Sequence, residues 1–309
     1  MNDKILIFGH KNPDTDTICS SMVKEILDKK NGCKNTKAVR LGELNKETQF
    51  VFDYLGIKAP ELIDKVEEGQ EVMLVDHNEF TQSVDGIEKA KILSVTDHHR
   101  IANFQTIEPL YYLAKPYGCT STILFEEFKT QGHEIEKTEA MLMLSAIISD
   151  TLLLKSPTCT EKDIEAYKEL EKIAEIDANE YGLKLLRAGT DISTFSAEEV
   201  INLDAKEFDE KGKKFIIAQV NTADIDDVFS RKEELSFAIE KEISDKQLDV
   251  FIFMITDIIN TNSKIIALGK DKEVVEKAFE QKLDADDSIF LEGVVSRKKQ
   301  MAPKIAANI

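Results

Sequence analysis

The sequence predicts an α/β fold, with a parallel-sheet N-terminal domain followed by a smaller α/β domain. Three observations predict it. Short apolar runs alternate with helix-length amphipathic segments through the first half of the chain. Several of those runs lead directly into acids and imidazoles, the residues expected where the carboxyl ends of buried parallel strands gather a ligand. A small and polar stretch, Ala188-Gly189-Thr190-Asp191-Ile192-Ser193-Thr194, then breaks the pattern before it resumes. The expected division is residues 1–188, a linker or hinge at 189–195, and residues 196–309.

The elements follow in order. Ile5-Leu6-Ile7-Phe8-Gly9 reads as the first strand and runs into His10-Lys11-Asn12-Pro13-Asp14-Thr15-Asp16. Gly9 permits close approach and Pro13 fixes one backbone angle, so a tight strand-to-helix loop is expected. From Asp16 to Lys30 the spacing is helical, with Ile18, Met22, Ile26 and Leu27 on one side. Val39-Arg40-Leu41 is a short strand candidate, and Glu47 to Leu55 a helix stopped by Gly56. Val72–Val75 leads into Asp76-His77, and Ile92–Thr96 into Asp97-His98-His99. Thr120 to Gln131 is helical, with Gly132 as its stop. Thr138 to Thr151 is apolar, long enough for a helix and free of Gly and Pro, which puts Asp150 near a helix end. Thr160 to Arg187 is one long charged helix or two. In the second domain, strands are expected at Phe215–Val220, Val250–Ile255 and Ile265–Leu268, and helices at Lys232–Ser244 and Glu273–Lys282.

A length of 309 residues accommodates two domains. The net charge of −18 argues against long nucleic acid as the main partner, because phosphate backbones require a basic footprint. A small anionic substrate remains compatible, since local charge and metal ions decide that case. One basic island stands out: residues 293–309 hold no acid but carry Arg297, Lys298, Lys299 and Lys304. No apolar run is long enough to span a bilayer. Met1-Asn2-Asp3-Lys4 has no signal-peptide character. The four cysteines, Cys19, Cys33, Cys119 and Cys159, form neither a CxxC pair nor a disulfide framework. A cytoplasmic location with no membrane partner is expected.

Three acid–imidazole clusters after three strands, in a chain with five histidines, point to a metal centre. His133 lies outside them and reads as a surface residue. Imidazole with several carboxylates and no thiolate favours Mn, Fe, Co or Zn. The acids exceed the needs of one ion, so a pair about 3.5–4 Å apart with a bridging carboxylate uses them better. Such a pair suits phosphoryl transfer, which needs positioning and charge stabilisation above all. The basic island would complete the clamp.

GHKNPDTDT (Gly9–Thr17), VDHNE (Val75–Glu79), TDHH (Thr96–His99), GCTSTIL (Gly118–Leu124), SDT (Ser149–Thr151) and SRKKQ (Ser296–Gln300) resemble, in order and over essentially the whole chain, the motifs of the family II inorganic pyrophosphatases. These are the manganese- or cobalt-dependent members of the DHH phosphoesterase superfamily. The first and third motifs are common to the superfamily, and SRKKQ is far more specific. Thr17 stands where Ser is usual and keeps the hydroxyl. There is no room for the regulatory nucleotide-binding insertion of some members, so the chain resembles the short form.

The resemblance implies a DHH domain, a smaller C-terminal domain and an active site in the cleft between them. It implies two Mn²⁺ or Co²⁺ per subunit, with additional Mg²⁺ on the substrate. One ion would be held by His10, Asp14 and Asp76, the other by Asp16, Asp76, His98 and Asp150. His99 would touch substrate, Arg297 and Lys298 would bind phosphate oxygens, and Lys206 sits where the family has a substrate-binding lysine. The implied reaction is hydrolysis of pyrophosphate to two orthophosphates by a bridging hydroxide, in a homodimer that binds no nucleic acid. The rival readings are a DHH nuclease or nucleotide phosphodiesterase, an exopolyphosphatase, and a non-catalytic metal-dependent sensor. The first usually carries a glycine-rich GGGH-like stretch in its second domain. Residues 190–309 contain only Gly212, Gly269 and Gly293.

Overall fold

The computed structural model describes residues 4–309, which fall into two compact units, divided between Gly189 and Thr190. The first unit contains β1 (Ile5–Phe8), α1 (Thr15–Lys30), β2 (Thr36–Arg40), α2 (Lys46–Leu55), β3 (Glu61–Leu62), β4 (Glu71–Val75), β5 (Lys91–Asp97), β6 (Tyr111–Ala114), α3 (Thr120–Thr130), α4 (Lys137–Thr151), α5 (Glu161–Ala174) and α6 (Ala178–Gly189). Its six strands form one parallel sheet in the order β3-β2-β1-β4-β5-β6. From β1 the chain winds outward to β2 and β3, then returns to β4 and winds the other way. The order therefore reverses between β1 and β4. Crevices at such a reversal, beyond the carboxyl ends of the strands, are where α/β sheets hold ligands. The loop after β1 carries His10 and Asp14, and Asp76 directly follows β4.

Local chemistry sets these elements. Asp14 caps α1, its carboxylate accepting a bond from the Thr17 amide at 2.9 Å. Gly9 is required by packing, because a Cβ there would run into the Thr17 side chain. Gly56 closes α2 in the left-handed conformation. Helix α4 is apolar all round, as its eight consecutive buried residues Met141–Ile148 require. The segment from Thr160 to Arg187 is two helices, parted where Glu175 turns left-handed. Helix α6 continues through Gly189, although Ala188-Gly189 reads as the start of a linker.

The second unit contains α7 (Ala197–Asn202), β7 (Ala205–Glu210), β8 (Lys213–Thr222), α8 (Ile225–Phe229), α9 (Lys232–Lys246), β9 (Val250–Asp257), β10 (Asn262–Leu268), α10 (Glu273–Phe279), β11 (Ser288–Glu292) and α11 (Ala302–Asn308). Its mixed sheet runs β11-β10-β9-β8-β7, with β8 and β9 parallel and the remaining pairs antiparallel. Both faces of β9 are covered, and all eight of its residues are buried. Apolar clusters lie on each side, one around Phe251 and Phe253, the other around Ile252 and Met254. The parallel first sheet and the smaller second one are the α/β architecture expected from the sequence.

Candidate metal centre

Five segments bring the acids and imidazoles together. The β1–α1 loop and the first turn of α1 contribute His10, Asp14 and Asp16; the ends of β4 and β5 contribute Asp76, His98 and His99; α4 contributes Asp150. The fifth segment is the start of α3, which contributes hydrogen-bond donors. Two sets of ligand atoms lie close enough to share an ion: His10, Asp14 and Asp76, and separately Asp16, Asp76, His98 and Asp150. Asp76, His98 and His99 form a third grouping.

Asp76 is common to all three, and its two oxygens face different ways. Oδ2 lies 3.5 Å from His10 Nε2, while Oδ1 lies 3.3 Å from His98 Nε2 and 3.7 Å from His99 Nδ1. The residue has a left-handed backbone, φ 58°. That conformation is uncommon for a residue other than glycine and marks a position held by its surroundings. Thr17 Oγ1 donates to Oδ2 at 2.6 Å and Thr120 Oγ1 to Oδ1 at 3.0 Å. Thr17 thus uses the hydroxyl that it shares with the more usual serine.

The remaining candidate ligands are oriented just as firmly. Asp16 is fully buried at the N-terminus of α3, accepting from the Thr120 amide at 2.7 Å, the Ser121 amide at 3.2 Å and the Ser20 hydroxyl at 2.5 Å. His10 Nδ1 meets the Lys11 carbonyl at 2.8 Å, and His98 Nδ1 the Tyr117 carbonyl at 3.0 Å. A carbonyl only accepts, so each Nδ1 carries a proton and each Nε2 faces the carboxylates, placed to bind a metal ion once its own proton leaves. His98 Nε2 also lies 3.7 Å from Asp150 Oδ2, and His10 Nε2 3.4 Å from Asp14 Oδ2.

His99 is held differently. Buried Asp97 accepts from its backbone amide and lies 3.0 Å from its Nδ1, and Asn78 fixes the other Asp97 oxygen at 2.7 Å. His99 is the most exposed imidazole of the cluster, with half its side chain in solvent. His77, the remaining histidine beside an aspartate, is buried and satisfied by the Val75 carbonyl and Ser83 hydroxyl. Burial pushes its pKa down to about 4, which suits a neutral structural residue. His133 is partly buried and meets Asn31 at 2.7 Å.

The electrostatics fit a divalent cation. Burial, reinforced by the Asp16 charge, raises Asp76 to about 7, although His98 opposes this. Burial and the charges of Asp16, Asp76 and Asp14 push Asp150 well above the carboxylate range. Burial works against charge on His10, yet Asp14 and Asp76 raise it to about 9; at His98 burial is likewise outweighed by Asp76 and Asp16, again to about 9. Protons therefore do here what cations would do better, because four carboxylates face mainly imidazoles and one another. The donor set, oxygen-rich with two imidazoles and no thiolate, suits manganese. The two thiols flanking it, Cys19 and Cys119, are raised well above their ordinary value, first by burial and then by Asp16. Neither contributes a ligand atom to the groupings above.

In the second unit, Arg297 forms an ion pair with Asp204 at 2.7 Å and donates to its carbonyl. Asp204 lies just before β7, which carries exposed Lys206, so Arg297 and the start of that strand are neighbours. Lys298 is exposed. The basic island is ordered and not a loose tail. Arg297–Met301 is a π-helical turn capped by Ser296, and Met301 is buried. Gln300 Oε1 accepts from the Val295 and Ser296 amides, and Gln219 from the Arg297 amide.

Sequence reasoning missed Ser20, Glu47 and the donors of Gly118–Leu124 as contributors to the site, and it placed Asp97 among the metal-binding clusters where Asp97 instead steadies His99. The Gly118–Leu124 stretch was visible as a motif, without a role for its hydroxyls.

Fold and cluster together define a class. Residues 4–147 match the DHH family, N-terminal domain, and residues 183–308 match the DHHA2 domain. Among solved structures, a Methanococcus jannaschii protein named as a family II inorganic pyrophosphatase is similar at TM-score 0.62 and 40% identity, covering 98% of each chain. The manganese-dependent inorganic pyrophosphatase of Bacillus subtilis is 53% identical over 302 residues, 97% of each chain. The chain belongs to the manganese-dependent, or family II, inorganic pyrophosphatases.

Proposed function

We propose that this protein hydrolyses inorganic pyrophosphate to two orthophosphates, with manganese bound in the first unit. The observation that carries the reading is the convergence of His10, Asp14, Asp16, Asp76, His98 and Asp150, in a chain so closely similar to a manganese-dependent pyrophosphatase. Two ions are read per chain. His10, Asp14 and Asp76 would hold one; Asp16, Asp76, His98 and Asp150 would hold the other, with Asp76 available to both. Manganese or cobalt fits these donors, and Mg²⁺ accompanies the substrate. When bound, such a pair supplies Lewis acidity, neutralises phosphate oxygens and lowers the pKa of water.

The chain's own groups do the rest. Backbone carbonyls fix the tautomers of His10 and His98, and hydroxyls from α1 and α3 fix Asp76. His99, steadied by Asp97 and the most exposed imidazole, contacts a phosphate oxygen of the substrate. Arg297, Lys298 and Lys206 add cationic donors that offset the charge of the leaving phosphate. The planar fork of Arg297 suits two phosphate oxygens at once.

The finer readings are a homodimer, a cytoplasmic location, and no nucleic-acid or membrane partner. The net charge of −18 supports the third, and no helix among the described residues is long and apolar enough to cross a membrane. The test is phosphate release from pyrophosphate, a short polyphosphate and a dinucleotide, each with Mn²⁺ and with Mg²⁺. Pyrophosphate is expected to be the preferred substrate and Mn²⁺ the better activator. Preference for polyphosphate or the dinucleotide would overturn the reading.

A further inference from the structure

Glu47 lies in the first turn of α2 and belongs to none of the ligand-bearing segments. One of its oxygens, Oε1, nevertheless accepts two hydroxyl bonds from them. Thr15 Oγ1 donates at 2.7 Å and Ser149 Oγ at 2.5 Å. Thr15 stands between Asp14 and Asp16 at the start of α1, and Ser149 directly precedes Asp150 on α4. A single carboxylate oxygen thus ties together two backbone segments that supply four aspartate and histidine ligands.

The tie is built rather than incidental. Asn45 caps α2 through the Thr48 amide at 2.7 Å, and Thr48 Oγ1 meets Thr15 Oγ1 at 3.1 Å, so the first turn of α2 is itself fixed against the start of α1. On the far side lies Gly189, at the end of α6. A Cβ there would come within 2.8 Å of Glu47 Oε2 and 3.0 Å of Glu47 Cβ. Gly189 is not among the glycines with positive φ, so its backbone does not demand glycine. Space for Glu47 does.

We propose that Glu47 is a positioning residue that fastens the Asp14–Asp16 segment to the Asp150 end of α4, setting the spacing of the metal ligands before any ion arrives. The role rests on the two-ion reading above. Asp16 and Asp150 fall in the same ligand grouping, and a shared acceptor holds the backbones that carry them at a fixed separation. Partners that orient ligands from behind typically govern metal affinity 10–100-fold.

The test is calorimetric titration of Mn²⁺ into full-length, metal-stripped wild type, Glu47→Gln, Glu47→Ala and Ser149→Ala, with circular dichroism of each metal-free protein. Gln keeps an oxygen that accepts both hydroxyls, so Glu47→Gln is expected to bind within about threefold of wild type. Glu47→Ala is expected to lose about 10–100-fold in affinity while remaining folded. Should Glu47→Ala fail to fold, Ser149→Ala removes one of the two bonds and is expected to lose several-fold. Wild-type affinity in the folded alanine variants would overturn the role. So would equal losses in Gln and Ala, since charge and not the paired hydrogen bonds would then matter. A wild type that takes up no Mn²⁺ would instead overturn the metal reading on which the role rests.

Discussion

The two regions read as functional are built on opposite plans. In the first unit the acids and imidazoles are mostly buried, and nearly every ligand is fixed by a second partner: a threonine hydroxyl, a helix amide or a backbone carbonyl. In the second unit Lys206 and Lys298 stay exposed, Arg297 pairs with Asp204, and the SRKKQ turn is ordered through its backbone. Gln300 and Gln219 hold the main chain of the SRKKQ turn and leave Lys298 exposed. The difference follows from what each region must do. Metal ligation tolerates errors of about 0.2 Å, so its side chains must be set in advance. Phosphate contacts by long cationic side chains tolerate more, and keeping those charges hydrated avoids the cost of burying them. The comparison predicts that damage to the first region shows in metal binding, and damage to the second in turnover alone.

The largest effect is expected at Asp76, the residue common to both ligand sets. Asp76→Ala should lower pyrophosphate hydrolysis by at least on the order of 10³-fold, beyond the loss typical of a single stabilising donor. Mn²⁺ per chain, measured after gel filtration, should drop with it. Retention of two ions and full activity would remove the distinction between the regions.

The double variant Arg297→Ala/Lys298→Ala should come next. Charge-assisted contacts are worth roughly 1.5–3 kcal/mol each, so kcat/KM should fall roughly 10²–10⁴-fold. Mn²⁺ affinity should stay at the wild-type value, because none of the proposed ligands lies in the second unit. Loss of Mn²⁺ affinity in this variant would blur the comparison. Arg297→Lys should also be harmful, to a smaller degree, as an ammonium cannot reproduce the fork.

The smallest effect sharpens the comparison within one motif. His98→Gln should weaken Mn²⁺ binding about 10–100-fold, judged by calorimetry. His99→Gln should leave it nearly unchanged and slow turnover or raise KM. Neighbouring side chains leave an extended backbone in different directions, which is why two adjacent imidazoles can serve different ends. Equal losses of metal affinity would contradict the assignment.

The ligand-bearing strands of the parallel sheet were legible because β1, β4 and β5 are largely buried on both faces and read as apolar runs, interrupted in β5 by Ser94 and Thr96. β7 was not, because Ala-Lys-Glu-Phe-Asp-Glu is an edge strand with largely exposed side chains and no apolar run to find. β3 has two exposed residues, and β6 is an exposed edge after a long loop. Gly189 reads as a helix breaker, yet α6 runs through it, because the glycine answers to Glu47 and not to a turn. The acids and imidazoles of the cluster were visible because chemistry restricts their types. Their supports were not. Thr120 and Glu47 are ordinary helix-start residues in sequence, and only tertiary contact shows which oxygen each one meets; Ser20 is a plain helical serine one turn after Asp16. Asp97 was expected among the ligand-rich clusters, but its oxygens are committed to His99 and Asn78.

The central claim is that one carboxylate, Asp76, stands between two divalent ions in the first unit. Anomalous diffraction at the manganese edge, from crystals of the Mn²⁺-loaded protein, tests it most directly. The account predicts two peaks per chain about 3.5–4 Å apart. One peak should lie against His10, Asp14 and Asp76, the other against Asp16, Asp76, His98 and Asp150. A single peak, or two peaks that do not share Asp76, would contradict it.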